Sequence, residues 1–469
     1  MGLQEEIDKI SAETVLSNSG PFTAKNLFES RFVIYDRFDF LLSQNEKEEA
    51  LKLLEDYVLK FPSEREILMV IYCKLLNQLG DEETADAVGW LVVTINEIIQ
   101  GFSKKLYHQP LIVENTHLLW RFGELVDQTL AVKTCQKLGL LNQKPVIPMP
   151  DLKVAAQSGL RVANSSFIPY MTEAFEFITE PSWANHLATI KHLSPFSSVM
   201  LKYSDTVWGS FHDNYPAIER LMKSKGLEPI RLDLHDNTKL AALTYLKDYG
   251  FKEGEKFVVL HLREEGFFDP EHHLFRNVNV KNYHKAIKYI LNKGFKIIRL
   301  GHPKMEPLPN IEGLIDLTQE ARPGHVDLFA CSEAKFYFGS SSGPFSAALA
   351  FNTPVACCAS LPYTKLRTNT VSELQPLYDM DTKKLLKYDE IKERKLQSLS
   401  TPVPLKHANV FPGELDQEQN LSLAKDIFDF IEGSSLIEEN RGINEEKREL
   451  QMDLDCMLTR NSIELLRKN

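Results

Sequence analysis

The sequence predicts an α/β protein built on a doubly wound parallel sheet and preceded by an all-helical N-terminal region. Three observations carry that expectation. From residue 252 to about 433, apolar runs of strand length alternate with segments of helical spacing. The run 256–262, Lys-Phe-Val-Val-Leu-His-Leu, is continuously apolar at its centre, the pattern of a strand covered on both faces. From residue 38 to about 102 the apolar residues instead recur at helical spacing, as in Leu51, Leu54 and Val58, then Ile67, Ile71 and Leu75.

Composition narrows the class. The chain has 469 residues, 43% hydrophobic and 25% charged, enough apolar material for a core and room for about three domains. A net charge of −11 argues against a broad basic footprint for duplex nucleic acid, but it leaves room for a local basic pocket. The longest apolar candidate, residues 88–99, contains Asn96 and Glu97 and falls short of the ~18 residues a membrane span needs. The opening MGLQEEIDKI has no basic segment followed by an apolar one, and Glu6 and Ile7 fit a myristoylation signal poorly after Gly2. Six cysteines without a C-x-x-C pair suit a reducing compartment. The expectation is a cytoplasmic protein, at most peripheral to the inner membrane.

In the N-terminal region, Pro62 stops one helix, and Ser63 with Glu66 has capping-box spacing for the next. Gly80-Asp81 separates that helix from a third. Glu48-Glu49-Ala50-Leu51 is echoed 35 residues later by Glu83-Thr84-Ala85-Asp86. Residues 1–108 are therefore read as a helical domain, either tetratricopeptide-like (TPR-like) or a plain bundle. Residues 109–250 are read as a first α/β lobe. Its strands are expected at 145–149, 159–163 and 228–232, and its helices at 215–225 and 238–249.

Residues 251–435 form the second lobe. Its strands are expected at 256–262, 295–300, 314–317, 335–339 and 354–358. Its helices run from a cap at Asn282 to Gly294, over 325–334 and over 344–351. The charged tail, 436–469, carries Leu450, Leu454, Met457, Leu458, Ile463, Leu465 and Leu466 at loose helical spacing. It is read as a terminal amphipathic helix that packs on the body or on a partner chain.

Three groups of residues sit where strands of the second lobe end, the edge at which such sheets bind ligands. The first is His261-Leu262-Arg263-Glu264-Glu265-Gly266. His261 and Arg263 are two apart and share a face, and a guanidinium there suits a diphosphate. The second is Gly339-Ser340-Ser341-Ser342-Gly343-Pro344, a strand-to-helix join with Ser342 or Gly343 as cap and Pro344 first in the helix. Its amides and hydroxyls would converge on an anion. The third combines Arg276-Asn277 with Arg299-Leu300-Gly301-His302. Neither a Walker loop nor a G-x-G-x-x-G fingerprint is present, which counts against ATPase and hydride-transfer chemistry. His261, Asp269, Glu271, His272 and His273 match no strong zinc spacing, so no metal is expected.

These residues carry a resemblance. Residues 259–361 resemble a family of bacterial glycosyltransferases associated with polysaccharide biosynthesis, through His261-Leu262-Arg263-Glu264 with Gly266, Arg276-Asn277, Ile298-Arg299-Leu300-Gly301 and Phe338-Gly339-Ser340-Ser341-Ser342-Gly343. More distantly the stretch is similar to fucosyltransferases of GT-B fold, which carry an H-x-R motif and a later Gly-Ser-Ser turn. The resemblance implies two Rossmann-like lobes and transfer of a sugar from a nucleotide-diphosphate donor, without metal or cofactor, to a glycan, glycoconjugate or protein acceptor. Arg263 would bind the donor's β-phosphate, and Ser340, Ser341 and Ser342 would hold the diphosphate from the other side. Asp327 would contact the base or ribose. Glu264, Glu265 and Asp269 are the nearby carboxylates for a catalytic base, with Glu264 and Asp269 favoured.

Gly266 stands where the fucosyltransferases carry an acidic residue, which counts against GDP-fucose among GDP-linked donors. The helical region would recruit a protein partner. Two rivals stand beside this reading: a non-catalytic sugar-nucleotide or glycan-binding scaffold of the same fold, and a helical-repeat adaptor whose α/β part is only structural.

Overall fold

The structure, a computed structural model, describes residues 119–467 apart from 191–199, 203–207, 211–221, 265–275 and several shorter breaks, together with isolated positions between 41 and 98. The expected helical repeats, with Pro62, Ser63 and Glu66, lie outside the described residues. So do Asp269 and the start of the expected strand at 159–163.

In chain order the elements begin with α1 (Phe122–Lys137), β1 (Val146–Pro148), α2 (Ile168–Ala174), β2 (Glu176–Ile178), α3 (Pro181–Ile190), β3 (Met200–Lys202), β4 (Trp208–Ser210) and α4 (Asp236–Lys247). The central fold follows with β5 (Phe257–His261), α5 (His284–Asn292), β6 (Lys296–Arg299), β7 (Leu314–Asp316), α6 (Gly324–Glu333), β8 (Tyr337–Ser340), α7 (Gly343–Ala350), β9 (Val355–Ser360) and β10 (Thr370–Leu374). The chain then forms β11 (Leu377–Asp379), α8 (Tyr388–Glu393), β12 (Val410–Pro412), α9 (Gln417–Glu432), α10 (Leu436–Arg441), α11 (Asn444–Glu449), β13 (Met457–Leu458) and α12 (Arg460–Leu466).

Seven strands make one parallel sheet in the order β13-β10-β9-β8-β5-β6-β7. Counted from β5 as first, the strands from β7 to β10 lie in the doubly wound order 3-2-1-4-5-6. Side chains alternate between two cores, as the period of a strand requires. Phe257 and Val259 join Ile298, Tyr337, Val355 and helices α1, α4, α6 and α7 on one face. Val258 and Leu260 join Ile297, Phe338, Ala356 and helices α5 and α9 on the other. The expected parallel, doubly wound sheet is present.

Several local expectations need correction. Residues 228–232 do not form a strand. The segment crosses the end of α7, where the Leu232 N–H donates to the Ala350 carbonyl at 2.8 Å. Val162 and Ala163 are likewise outside any strand. The turn leading into α5 is capped by Asn279, whose side chain accepts from the Lys281 N–H. Asn282 instead donates to Glu414 at 3.3 Å.

The tail is not one helix. It breaks into α10, α11, β13 and α12, because Met457 and Leu458 pair with Val371 and Ser372 of β10 and extend the sheet. Buried Asn440 secures the break. Its Nδ2 donates to the carbonyls of Leu436 and Leu458, and its Oδ1 accepts from the Leu458 N–H and from buried Lys447.

Helix α12 also covers Glu373 of β10, which is 2% exposed and accepts a hydrogen bond from Thr459. Burial pushes the Glu373 carboxyl up to about 8. Between its unfolded range and that value the folded chain holds a proton that the unfolded chain has lost, so stability falls as pH rises from about 4.5 to about 8. Glu373→Gln removes that titration. It should flatten the fall of stability between about pH 4.5 and 8 and leave the variant more stable than wild type at pH 8, read by urea unfolding across pH. A parallel alkaline loss in the variant would contradict this assignment.

Candidate functional site

In a sheet of this order the chain reverses direction between β5 and β8, and a crevice opens beyond the carboxyl ends of those strands. The sequence places its first two motifs on the two sides of that crevice. His261 pairs with Gly339 across it. A Cβ at position 339 would stand 1.9 Å from the His261 carbonyl oxygen, so only glycine lets the strands meet here. Just beyond β5, the Arg263 N–H donates to Oγ of Ser340, the last residue of β8, at 2.8 Å. Two motifs 77 residues apart are thereby joined at the switch point.

The Arg263 side chain is half-buried, and its Nε donates to Asn277 Oδ1 at 3.2 Å. The Ser turn is supported from below by Tyr337, which is fully buried. Its hydroxyl donates to the Ser340 carbonyl at 2.7 Å and lies 3.1 Å from Ser342 Oγ. Ser342 occupies the N-cap position of α7 with extended backbone, but its hydroxyl does not cap the helix. Gly343, not Pro344, opens the helix. A Cβ on Gly343 would meet Phe122 Cβ at 2.9 Å, so this glycine serves the close packing of α1 on α7. Ser341 is half-buried in the turn.

His261 lies beneath the crevice. Burial pushes its imidazole down to about 3, against the Leu300 carbonyl, which accepts from Nδ1 at 3.1 Å; Arg322, Arg263 and His302 also disfavour a second proton. The ring is therefore neutral at physiological pH and too weak a base for proton abstraction. The same field shows that positive charge gathers here.

Arg322, which the sequence reading did not single out, belongs to this cluster. Its Nη1 donates to the carbonyls of Gly301 and Leu317, and its Nε pairs with Asp327. The signal was an arginine just before Pro323-Gly324, at the start of a helix that follows a strand.

Other expected site residues have structural work. Arg299 is correctly placed in sequence at the end of β6, yet its side chain is 0% exposed. Its Nη2 pairs with Glu264 at 2.6 Å, and its Nη1 pairs with Asp316 at 2.9 Å and donates to the Glu306 carbonyl at 2.8 Å. The expectation that Arg299 binds a ligand is corrected: burial and three internal partners hold it in the core. Glu264 is occupied in the same network. One oxygen receives Arg299, and the other accepts from the Glu306 N–H at 2.8 Å. It is not poised as a catalytic base.

Asp327, expected to contact a base or ribose, is paired through one carboxylate oxygen with Arg322. Gly301 is held by packing, since a Cβ there would meet Met305 Sδ at 2.3 Å. Asn277 lies beside Arg263, in the turn that returns to the Arg263 carbonyl through the Val278 N–H at 2.8 Å, and Arg276 precedes it in the chain. Among the described residues no three His, Cys, Asp or Glu side chains gather as a metal site; Glu271, His272 and His273 lie outside them. Among the described residues no helix is long and apolar enough to cross a membrane.

No protein-family model and no curated protein matches the chain. Similar solved structures include a family 9 glycosyl transferase from Veillonella parvula, at 12% identity and a TM-score of 0.40, covering 69% of this chain and 97% of that one. The bacterial iron-containing dodecameric glycosyltransferase TibC from enterotoxigenic E. coli matches at 15% identity and a TM-score of 0.31, covering 56% of this chain and 61% of that one. The E. coli ADP-heptose LPS heptosyltransferase II matches at 14% identity and a TM-score of 0.31, covering 54% and 86%. At such scores none of them carries the functional reading, which rests on the site.

Proposed function

We propose that the chain is a GT-B-type glycosyltransferase that moves a sugar from a nucleotide-diphosphate donor to a glycan, glycoconjugate or protein acceptor without a metal. The observation that carries the reading is the bond from the Arg263 main-chain N–H to Ser340 Oγ, which joins the arginine motif to the serine-rich turn at the switch point. A departing nucleoside diphosphate develops negative charge as the bond from the anomeric carbon to its phosphate oxygen breaks. Arg263, the hydroxyls of Ser341 and Ser342 and the N–H groups of Gly343 and Phe345 would meet that charge; the expected role of Ser340 is corrected, since it is 2% exposed and its hydroxyl accepts from the Arg263 N–H. The acceptor hydroxyl forms the new bond and gives its proton to a base. With Glu264 committed to Arg299, Asp269 is the favoured carboxylate for that step.

One observation favours a second reading, a sugar-nucleotide or glycan-binding scaffold of the same fold. Among the described residues Glu264, Asp316 and Asp327 at this edge are each engaged by a guanidinium. Turnover separates the two. GDP-, UDP-, dTDP- and ADP-linked sugars are incubated with the full chain and glycan acceptors, and nucleotide release is followed. Release by wild type that is lost in Asp269→Asn supports the transferase. Donor binding without release from any of them establishes the scaffold and ends the transferase reading.

A further inference from the structure

A second concavity opens on the same edge of the sheet, at the carboxyl end of β10. Its volume is about 570 Å³, within the usual ~300–1,000 Å³ range for small-molecule sites. None of its lining residues belongs to the crevice between β5 and β8. Three strand spacings separate β5 from β10, roughly 14 Å at ~4.8 Å each.

The lining chemistry selects a ligand class. Lys387 and Arg467 are balanced by Asp389 and Glu464, so the cavity favours neither an anion nor a cation. Gln419 and Asn461 line it with amides: Gln419 Oε1 accepts from the Asp416 N–H at 3.0 Å and Asn461 hydrogen-bonds Glu373, and the remaining donors and acceptors face a ligand. Glu373, 2% exposed beneath α12, closes the floor with a carboxyl that burial keeps protonated at neutral pH, so it adds no charge. Leu465 and Leu385, the latter 44% exposed, supply an apolar wall. Charge balance, paired donors and acceptors and one apolar side suit a ring that carries hydroxyls around an apolar face.

We propose that this cavity binds one or two neutral sugar units, as the resting place for the inner residues of a glycan whose end reaches the crevice at Arg263. In assigning that glycan as acceptor, the proposal rests on the transferase reading; the binding itself does not.

Saturation-transfer NMR on the full chain tests it without any donor. The probes are methyl glycosides of glucose, galactose, mannose and N-acetylglucosamine, with maltose, cellobiose and lactose, and glucuronate as a charged comparison. At least one neutral glycoside should receive saturation in preference to glucuronate. Its affinity should drop about tenfold or more in Asn461→Leu, which removes paired hydrogen bonds, and in Leu385→Trp, which fills the mouth from an exposed position. It should be unchanged in Arg263→Ala. Absence of transfer to every neutral glycoside overturns the proposal. Transfer that survives both cavity variants but is lost in Arg263→Ala overturns it as well, by placing the sugar in the crevice. Glycoside binding with no donor turnover removes the acceptor assignment and leaves the sugar site standing.

Discussion

Arg299→Met should cost about 3–5 kcal/mol of folding stability, the loss expected when one member of a buried ionic network is removed. The guanidinium is 0% exposed and lies between Glu264 at 2.6 Å and Asp316 at 2.9 Å. Methionine fills much of the volume but leaves two half-buried carboxylates without their shared cation. Burial already lifts the Glu264 carboxyl above its ordinary range, against the Glu306 amide and Arg299, so it is the group that would take up a proton. Asp316 is held below its range: burial pushes it up, but Thr318, Arg299 and the Leu308 amide outweigh that. The loss should therefore shrink at acid pH, where Glu264 is neutral in both states. Combining Arg299→Met with Glu264→Gln should recover part of it. Urea unfolding at neutral and mildly acid pH reads both effects. A loss under about 1 kcal/mol would mean that the network is solvated.

The second large effect is chemical. Arg263→Ala should lower turnover of the donor by about 10²–10³-fold while stability changes little, as for loss of one preorganised donor to a developing anion. The side chain is half-buried and donates to Asn277 Oδ1 at 3.2 Å, outside both apolar cores, so its removal leaves no core cavity. The main-chain bond to Ser340 survives in alanine, which keeps the two strand ends joined. Arg263→Lys should remain well below wild type, because a point charge cannot bind two phosphate oxygens in a fixed plane. A variant that turns over donor at the wild-type rate would detach Arg263 from the chemistry.

The sheet was legible because its strands are nearly continuous apolar runs and its helices α6 and α7 open on glycine, beside Pro323 and Pro344. Those signals are local, and β5, β6 and β8 follow them within two residues. What was illegible is non-local. Arg299 reads as a strand-end cation until Glu264 and Asp316, 35 and 17 residues away, are seen to neutralise it inside the core. The tail carries helical spacing, yet Met457 and Leu458 are captured by the open edge of β10, and pairing outweighs propensity.

Gly301, Gly339 and Gly343 read alike as glycines of a binding loop. Each admits a close neighbour: Met305, the His261 carbonyl and Phe122. The candidate site was legible as two motifs because each sits at a strand end. Their meeting depends on the strand order, which places β8 directly beside β5.

Isothermal titration of GDP, UDP, dTDP and ADP, each beside its monophosphate, into wild type and Arg263→Ala tests the central claim most directly. One diphosphate should bind wild type and weaken by about 10–100-fold in the variant, the scale of a lost charge-assisted bond, while its monophosphate binds both alike. Equal binding of that diphosphate to both proteins, or no binding of any diphosphate to wild type, would contradict the account.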